Sequence, residues 1–220
     1  MLNRTAFIVD GFNLYHSAID ASKDLGGAST KWLDIRQLCD SYLSGIGGDA
    51  QTQGVYYFSA PAQHLTAVNP GVVQRHMRFV KCLRATGITD ELHRFRKKDI
   101  TFRIKGDMGD LFRGFLRRHE EKQTDVAIAS KLFELLIRDE CDTVLLVTGD
   151  TDFIPACKTA RRLFPDKAVG FLFPYKRSKD ELADLASLSF AIDAEAYATH
   201  QFPDPFILPN GQRLDKPSSW

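Results

Sequence analysis

The 220-residue chain has little surplus charge, few cysteines and no long apolar run, and each shortage limits the reading. With 29 Lys and Arg against 28 Asp and Glu the formal net charge is only +1, so the total by itself says nothing about a polyanionic partner. Cys39, Cys82, Cys141 and Cys157 are far apart and show no paired metal-ligand spacing, which argues against zinc. Cys141 and Cys157 lie in apolar surroundings, as expected of buried free thiols in a reducing compartment rather than of a disulfide framework. No apolar run approaches ~18 residues, and Met1-Leu-Asn-Arg-Thr5 leads into strand-like sequence without the apolar region of a signal peptide. A cytoplasmic protein is the expectation. Internal repeats and low-complexity tracts are also missing.

The length suits one well-buried α/β domain and is short for two large ones. Apolar runs at residues 5–9, 54–59, 144–147 and 168–173 read as buried strands, with a last short one at 190–192. Helical spacing of apolar residues falls at 11–21, 35–43, 72–86, 125–139, 153–164 and 178–185, with Gly87 stopping one helix and Pro155 in the first turn of another. Residues 91–105 alternate charged and apolar side chains, which predicts two short strands at a sheet edge. Residues 106–121, interrupted by Gly106, Gly109 and Gly114, read as a mobile loop or short helix. Strand and helix otherwise alternate, the pattern of an α/β sandwich with a mostly parallel sheet. Residues 1–197 are expected to form the domain and 198–220 a Pro-rich extension carrying Pro203, Pro205, Pro209 and Pro217.

The charge is balanced in total but not along the chain. Between Val73 and Lys122 stand 14 Lys and Arg against 7 Asp and Glu, and the remainder of the chain is net acidic. A basic face beside an acidic site suits an enzyme working on a phosphodiester backbone, although a solvated charged surface has the same composition.

The acids are the most informative residues. The run Val144-Leu-Leu-Val-Thr-Gly-Asp-Thr-Asp-Phe153 is a buried strand opening onto a turn with Asp150 and Asp152, and Thr5-Ala-Phe-Ile-Val-Asp-Gly-Phe-Asn13 repeats the arrangement with Asp10. Asp125 starts the strongest helical pattern. Each alone reads equally well as a helix cap or a helix-dipole partner, with Thr124 capping the helix beside Asp125. Together they would repel unless a cation neutralised them, and for hard oxygen ligands Mg²⁺ or Mn²⁺ is the simplest choice. Asn13 and Thr148 are short polar neighbours suited to orienting a carboxylate, a water or a substrate, and Lys122, Arg113 and Arg117 are plausible phosphate contacts. The six histidines form no metal-like spacing, and Tyr56, Tyr57, Phe95 and Phe102 read as core or sheet-face residues rather than base-stacking platforms.

Val9-Asp-Gly-Phe-Asn-Leu-Tyr15, Lys122-Gln-Thr-Asp-Val126 and Leu146-Val-Thr-Gly-Asp-Thr-Asp-Phe153 together resemble the NYN domain, a PIN-like nuclease group that includes LabA-like bacterial proteins. The resemblance implies a PIN-like three-layer α/β/α sandwich and a Mg²⁺- or Mn²⁺-dependent endoribonuclease, a monomer or homodimer acting on RNA. Its acidic set would be Asp10, Asp125, Asp150 and Asp152, with Asn13 beside it. Phe12 stands where such domains commonly carry a small residue. Two alternatives remain open from the residues: a domain that binds RNA or a partner without cutting it, and a phosphatase of the haloacid dehalogenase type, whose nucleophile loop Asp150-Thr-Asp152 resembles. The latter leaves Asp10 and Asp125 unexplained.

Overall fold

A computed structural model of the chain describes the backbone of residues 2–105 and 111–220 and the side chains of 2–98 and 123–220. The first half runs β1 (Leu2–Asp10), α1 (Gly11–Asp24), α2 (Ile35–Asp40), α3 (Leu43–Ile46), β2 (Asp49–Ser59), α4 (Val72–Ala85), β3 (Thr89–Leu92), β4 (Arg94–Lys105) and β5 (Leu111–Lys122). The second half runs α5 (Thr124–Ile137), β6 (Thr143–Val147), α6 (Ile154–Leu163), β7 (Ala168–Phe173), α7 (Asp180–Ala183), β8 (Ser189–Ala191), α8 (Ala194–Thr199), β9 (Phe206–Ile207) and β10 (Arg213–Leu214).

Six strands form one parallel sheet in the order β3-β2-β1-β6-β7-β8. A parallel sheet buries both faces, and the central strands show it: alternate residues of β1 and β6 divide between two cores. Phe7, Val9, Leu145 and Val147 pack with Leu14, Leu38, Val80 and Tyr197 from α1, α2, α4 and α8. Ala6, Ile8, Val144 and Leu146 face the opposite way, against Leu132 and Leu135 of α5, Cys157 of α6 and Leu182 of α7. Helices therefore cover both sides of the sheet, the three-layer sandwich of a PIN-like fold. All four cysteines are buried and free.

From β1 the chain adds β2 and β3 on one side, then returns to place β6, β7 and β8 on the other. The strand order thus reverses between β1 and β6, the position where open α/β sheets form a crevice at the carboxyl ends of their strands.

Two expectations need correction. Residues 91–105 do not supply two edge strands: the sheet edge is β3, and β4 belongs to a separate antiparallel hairpin with β5, in register from Arg94 opposite Lys122 to Lys105 opposite Leu111. Most of the segment expected to be a loop or short helix is therefore strand β5, while 106–110 lie outside the described residues. A hairpin satisfies its backbone hydrogen bonds locally, so alternation of charged and apolar residues suffices to form it without a place in the main sheet.

The Pro-rich tail folds back on the domain. Phe202 and Leu214 are buried in the first core, β9 pairs with β10, and the Trp220 ring stands 6.1 Å from Trp32 and 5.6 Å from Phe79. Among the described residues, no helix is long and apolar enough to cross a membrane.

Candidate active site

The pairing of β1 with β6 sets Val9 beside Val147, so the residues that follow, Asp10 and Thr148, leave the sheet side by side at the reversal of strand order. Asp10 is only 6% exposed. It caps α1, one carboxylate oxygen accepting from the Asn13 backbone N–H at 3.0 Å and the other from the Thr148 hydroxyl at 2.9 Å. The Thr148 oxygen in turn accepts from the Asp150 N–H at 3.2 Å, and the Asn13 side-chain carbonyl accepts from the Gly149 N–H at 3.3 Å. Asp150 caps the 3₁₀ turn Thr151–Phe153 by accepting from the Asp152 N–H at 3.0 Å. The two acid-bearing turns are thus tied together through Thr148 and Asn13, and capping and a place in the acidic set are not exclusive roles for Asp10.

Two glycines permit this approach. A Cβ on Gly149 would collide with the Arg177 carbonyl oxygen and come within 2.7 Å of the Arg177 Cβ. One on Gly11 would lie 2.6 Å from the Tyr57 ring and 2.7 Å from the Phe58 carbonyl oxygen. Both packed turns require glycine for space rather than for an unusual backbone angle.

Asp125 stands in the first turn of α5. The cap of that helix is Gln123, in the left-handed region at φ 80°, and the expected cap Thr124 is instead the first helical residue and buried. Electrostatics connect the three elements. Burial pushes the Asp10 carboxyl up to about 6, opposed by its hydrogen bonds to Asn13 and Thr148 and reinforced by the charges of Asp125 and Asp150. The Asp125 carboxyl is also raised, first by desolvation and then by Asp150 and Asp152. Asp125 and Asp150 thus bear on Asp10, and Asp150 and Asp152 bear on Asp125. Among the described residues, however, no group of three or more His, Cys, Asp or Glu side chains stands as a metal-binding set.

Thr148, 1% exposed, spends its hydroxyl on Asp10 and the Asp150 backbone. The side chains of Lys122, Arg113 and Arg117 lie outside the described residues; their backbones belong to β5, and Lys122 ends it two residues before α5. The sequence reading gave no role to Gly11 and Gly149, the glycines beside Asp10 and Asp150. It also passed over a cavity of about 410 Å³ that begins at Gly11 and Phe12 and runs between α1 and α4.

A protein of unknown function from Vibrio parahaemolyticus RIMD 2210633 shares the fold, with a TM-score of 0.53 and 19% identity over 87% of this chain and 93% of that one. The 6-hydroxy-3-succinoylpyridine 3-monooxygenase HspA of Pseudomonas putida is 24% identical over 99% of this chain and 75% of its own length. The activity in that name is that protein's. The NYN domain profile matches residues 4–193, nearly the whole sandwich together with the acidic turns. The chain belongs to the NYN domain family, whose fold is PIN-like and of nuclease type.

Proposed function

We propose that the protein is a divalent-metal-dependent endoribonuclease that hydrolyses RNA phosphodiester bonds at Asp10, Asp125, Asp150 and Asp152. The observation that carries this reading is geometric: Thr148 and Asn13 tie buried Asp10 to the turn that presents Asp150, and burial, with smaller additions from the charges of Asp125 and Asp150, raises the Asp10 carboxyl to about 6. Carboxylates that disfavour one another's ionisation favour a cation that relieves them, and an all-oxygen donor set suits Mg²⁺ or Mn²⁺. Asp10, Asp125 and Asp150 would hold the ion or ions, directly or through water, with Asp152 completing the set. When bound, such an ion lowers the pKa of an attacking water and offsets charge on the phosphate, so no covalent nucleophile is asked of the protein.

The chain's own contribution is to hold the acids still. Thr148 and the Asn13 backbone fix both oxygens of Asp10, and the Asn13 side chain pins the Gly149 turn that presents Asp150. Lys122, Arg113 and Arg117 are proposed as contacts to the RNA backbone. The activity is placed in the cytoplasm, in a monomer or homodimer.

A second reading is an RNA- or partner-binding domain that has kept the fold without turnover, favoured by the engagement of both Asp10 oxygens in structural hydrogen bonds. Incubation of mixed-sequence single-stranded RNA with Mn²⁺ or Mg²⁺ separates the two. Cleavage leaving 5′-phosphate and 3′-hydroxyl ends supports the nuclease, and a 2′,3′-cyclic phosphate would refute its mechanism. RNA retention without cleavage, unchanged in Asp150→Asn, supports the binding domain.

A further inference from the structure

The cavity beside the acidic turns has a character those turns do not explain. Its body is aromatic: Phe12 on α1, Tyr57 on β2, Phe79 on α4, Phe95 at the start of β4, and Trp220. Phe12 is 47% exposed at the mouth, its ring 6.3 Å from Phe95. A volume of about 410 Å³ falls within the range of preformed small-molecule sites.

Two cations share this apolar wall. The Lys31 ammonium donates to the Ser219 carbonyl at 3.3 Å, and the Arg75 guanidinium donates to the Pro70 carbonyl at 3.2 Å and to the Asn69 side chain. All of these acceptors are neutral, and among the described residues neither cation forms an ion pair with a carboxylate. Burial, followed by the charge of Arg75, holds Lys31 below the ordinary lysine range. Two half-buried like charges beside an apolar wall, without a carboxylate partner among the described residues, favour an anion between them. His76 adds a further unmet polar atom. It lines the same cavity with Nε2 buried and without a hydrogen-bond partner among the described residues, and burial holds its imidazole below the ordinary histidine range.

We infer that this cavity is a binding site for a small aromatic carboxylate, its ring among Phe12, Phe79, Phe95 and Trp220 and its carboxylate toward Lys31 and Arg75. Such a ligand satisfies each feature at once: the rings accept an aromatic body, the cations its charge, and His76 a polar ring substituent. An unstacked nucleobase is the weaker fit. Its charge stays outside on the phosphate, and its recognition needs several polar groups aligned along the base edge.

The inference does not depend on the nuclease reading, because the residues it uses lie outside the acidic set. Trp220 lines the cavity and Trp32 packs on it, so tryptophan fluorescence of the full-length protein reports occupancy. Titration with benzoate, nicotinate and 3-phenylpropionate, each against its neutral amide, and with 5′-AMP, provides the test. We expect saturable quenching by at least one carboxylate with a dissociation constant near or below about 1 mM, and at least tenfold weaker binding of its amide. Lys31→Gln and Arg75→Gln should each weaken that binding about tenfold with unchanged thermal unfolding, and Ala62→Phe, placed on the cavity wall and silent when tryptophan is excited selectively, should abolish it. If Arg75→Gln loosens the Asn69–Pro70 turn it contacts, Lys31→Gln decides. Equal affinity for acid and amide, absence of saturable quenching by every carboxylate, or tighter binding of 5′-AMP would overturn the inference.

Discussion

Replacing Asp10 by Asn should make the metal-free protein more stable at neutral and alkaline pH. The fold raises this carboxyl to about 6 from an ordinary value of 3.8. The folded state thus binds the proton more tightly than the unfolded chain does. Its contribution to stability is fully present below 3.8 and is lost as the pH rises through 6. The shift of roughly two units corresponds to about 3 kcal/mol lost by pH 8. Asn escapes that penalty and still accepts from the Asn13 N–H, but it gives up the charge-assisted bond from Thr148, worth about 1–2 kcal/mol. The net gain is about 1–2 kcal/mol at pH 8, or roughly 3–6 °C in Tm for a domain of this size. Urea denaturation of both proteins in EDTA at pH 4, 6 and 8 measures it. The gap should open between pH 4 and pH 8. Added Mn²⁺ should stabilise the wild type alone, by mass action on a site the variant has lost. A variant less stable than wild type at pH 8, or a gap independent of pH, would refute the claim that Asp10 is held at an electrostatic cost.

Other substitutions probe the rest of the site. Thr148→Val removes the donor to Asp10 and the acceptor for the Asp150 N–H, and should lower metal affinity or cleavage rate about 10–100-fold, measured by Mn²⁺ titration of activity. Gly149→Ala drives a Cβ into the Arg177 carbonyl and should cost about 1–3 kcal/mol in a denaturant melt; stability equal to wild type would show that the turn has room to move. Trp220→Ala takes away the ring that packs on Trp32 and Phe79. It should lower stability by about 1–2 kcal/mol, a drop in Tm that would show the tail to be part of the fold.

The central strands were legible because both faces of a parallel sheet are buried: the apolar runs ending in Asp10 and in Thr148-Gly-Asp150 contain little besides Val, Ile, Leu and Phe. The place of Asp10 and of the turn carrying Asp150 and Asp152 followed, since each comes straight after such a run, whereas Asp125 stood out only as the start of a helical pattern. The β4–β5 hairpin was not legible as such, because charged residues occupy much of both strands and Gly114 interrupts the second, which weakens every periodic signal. The tie between Thr148 and Asp10 was also hidden. It depends on β1 pairing with β6 across 138 positions, and no local pattern encodes a partner that distant. The cavity draws its walls from α1, β2, α4, β4 and the last residue of the chain, so it exists only once those segments meet.

The central claim is that one acidic set, assembled where the strand order reverses between β1 and β6, cuts RNA with a divalent ion. Its most direct test is cleavage of single-stranded RNA by the purified protein in Mn²⁺ or Mg²⁺, beside EDTA and an Asp150→Asn variant with a wild-type circular dichroism spectrum. The account predicts cleavage that EDTA and the variant both abolish. Cleavage that survives both would contradict it, as would the absence of cleavage by well-folded wild type across structured and unstructured RNA.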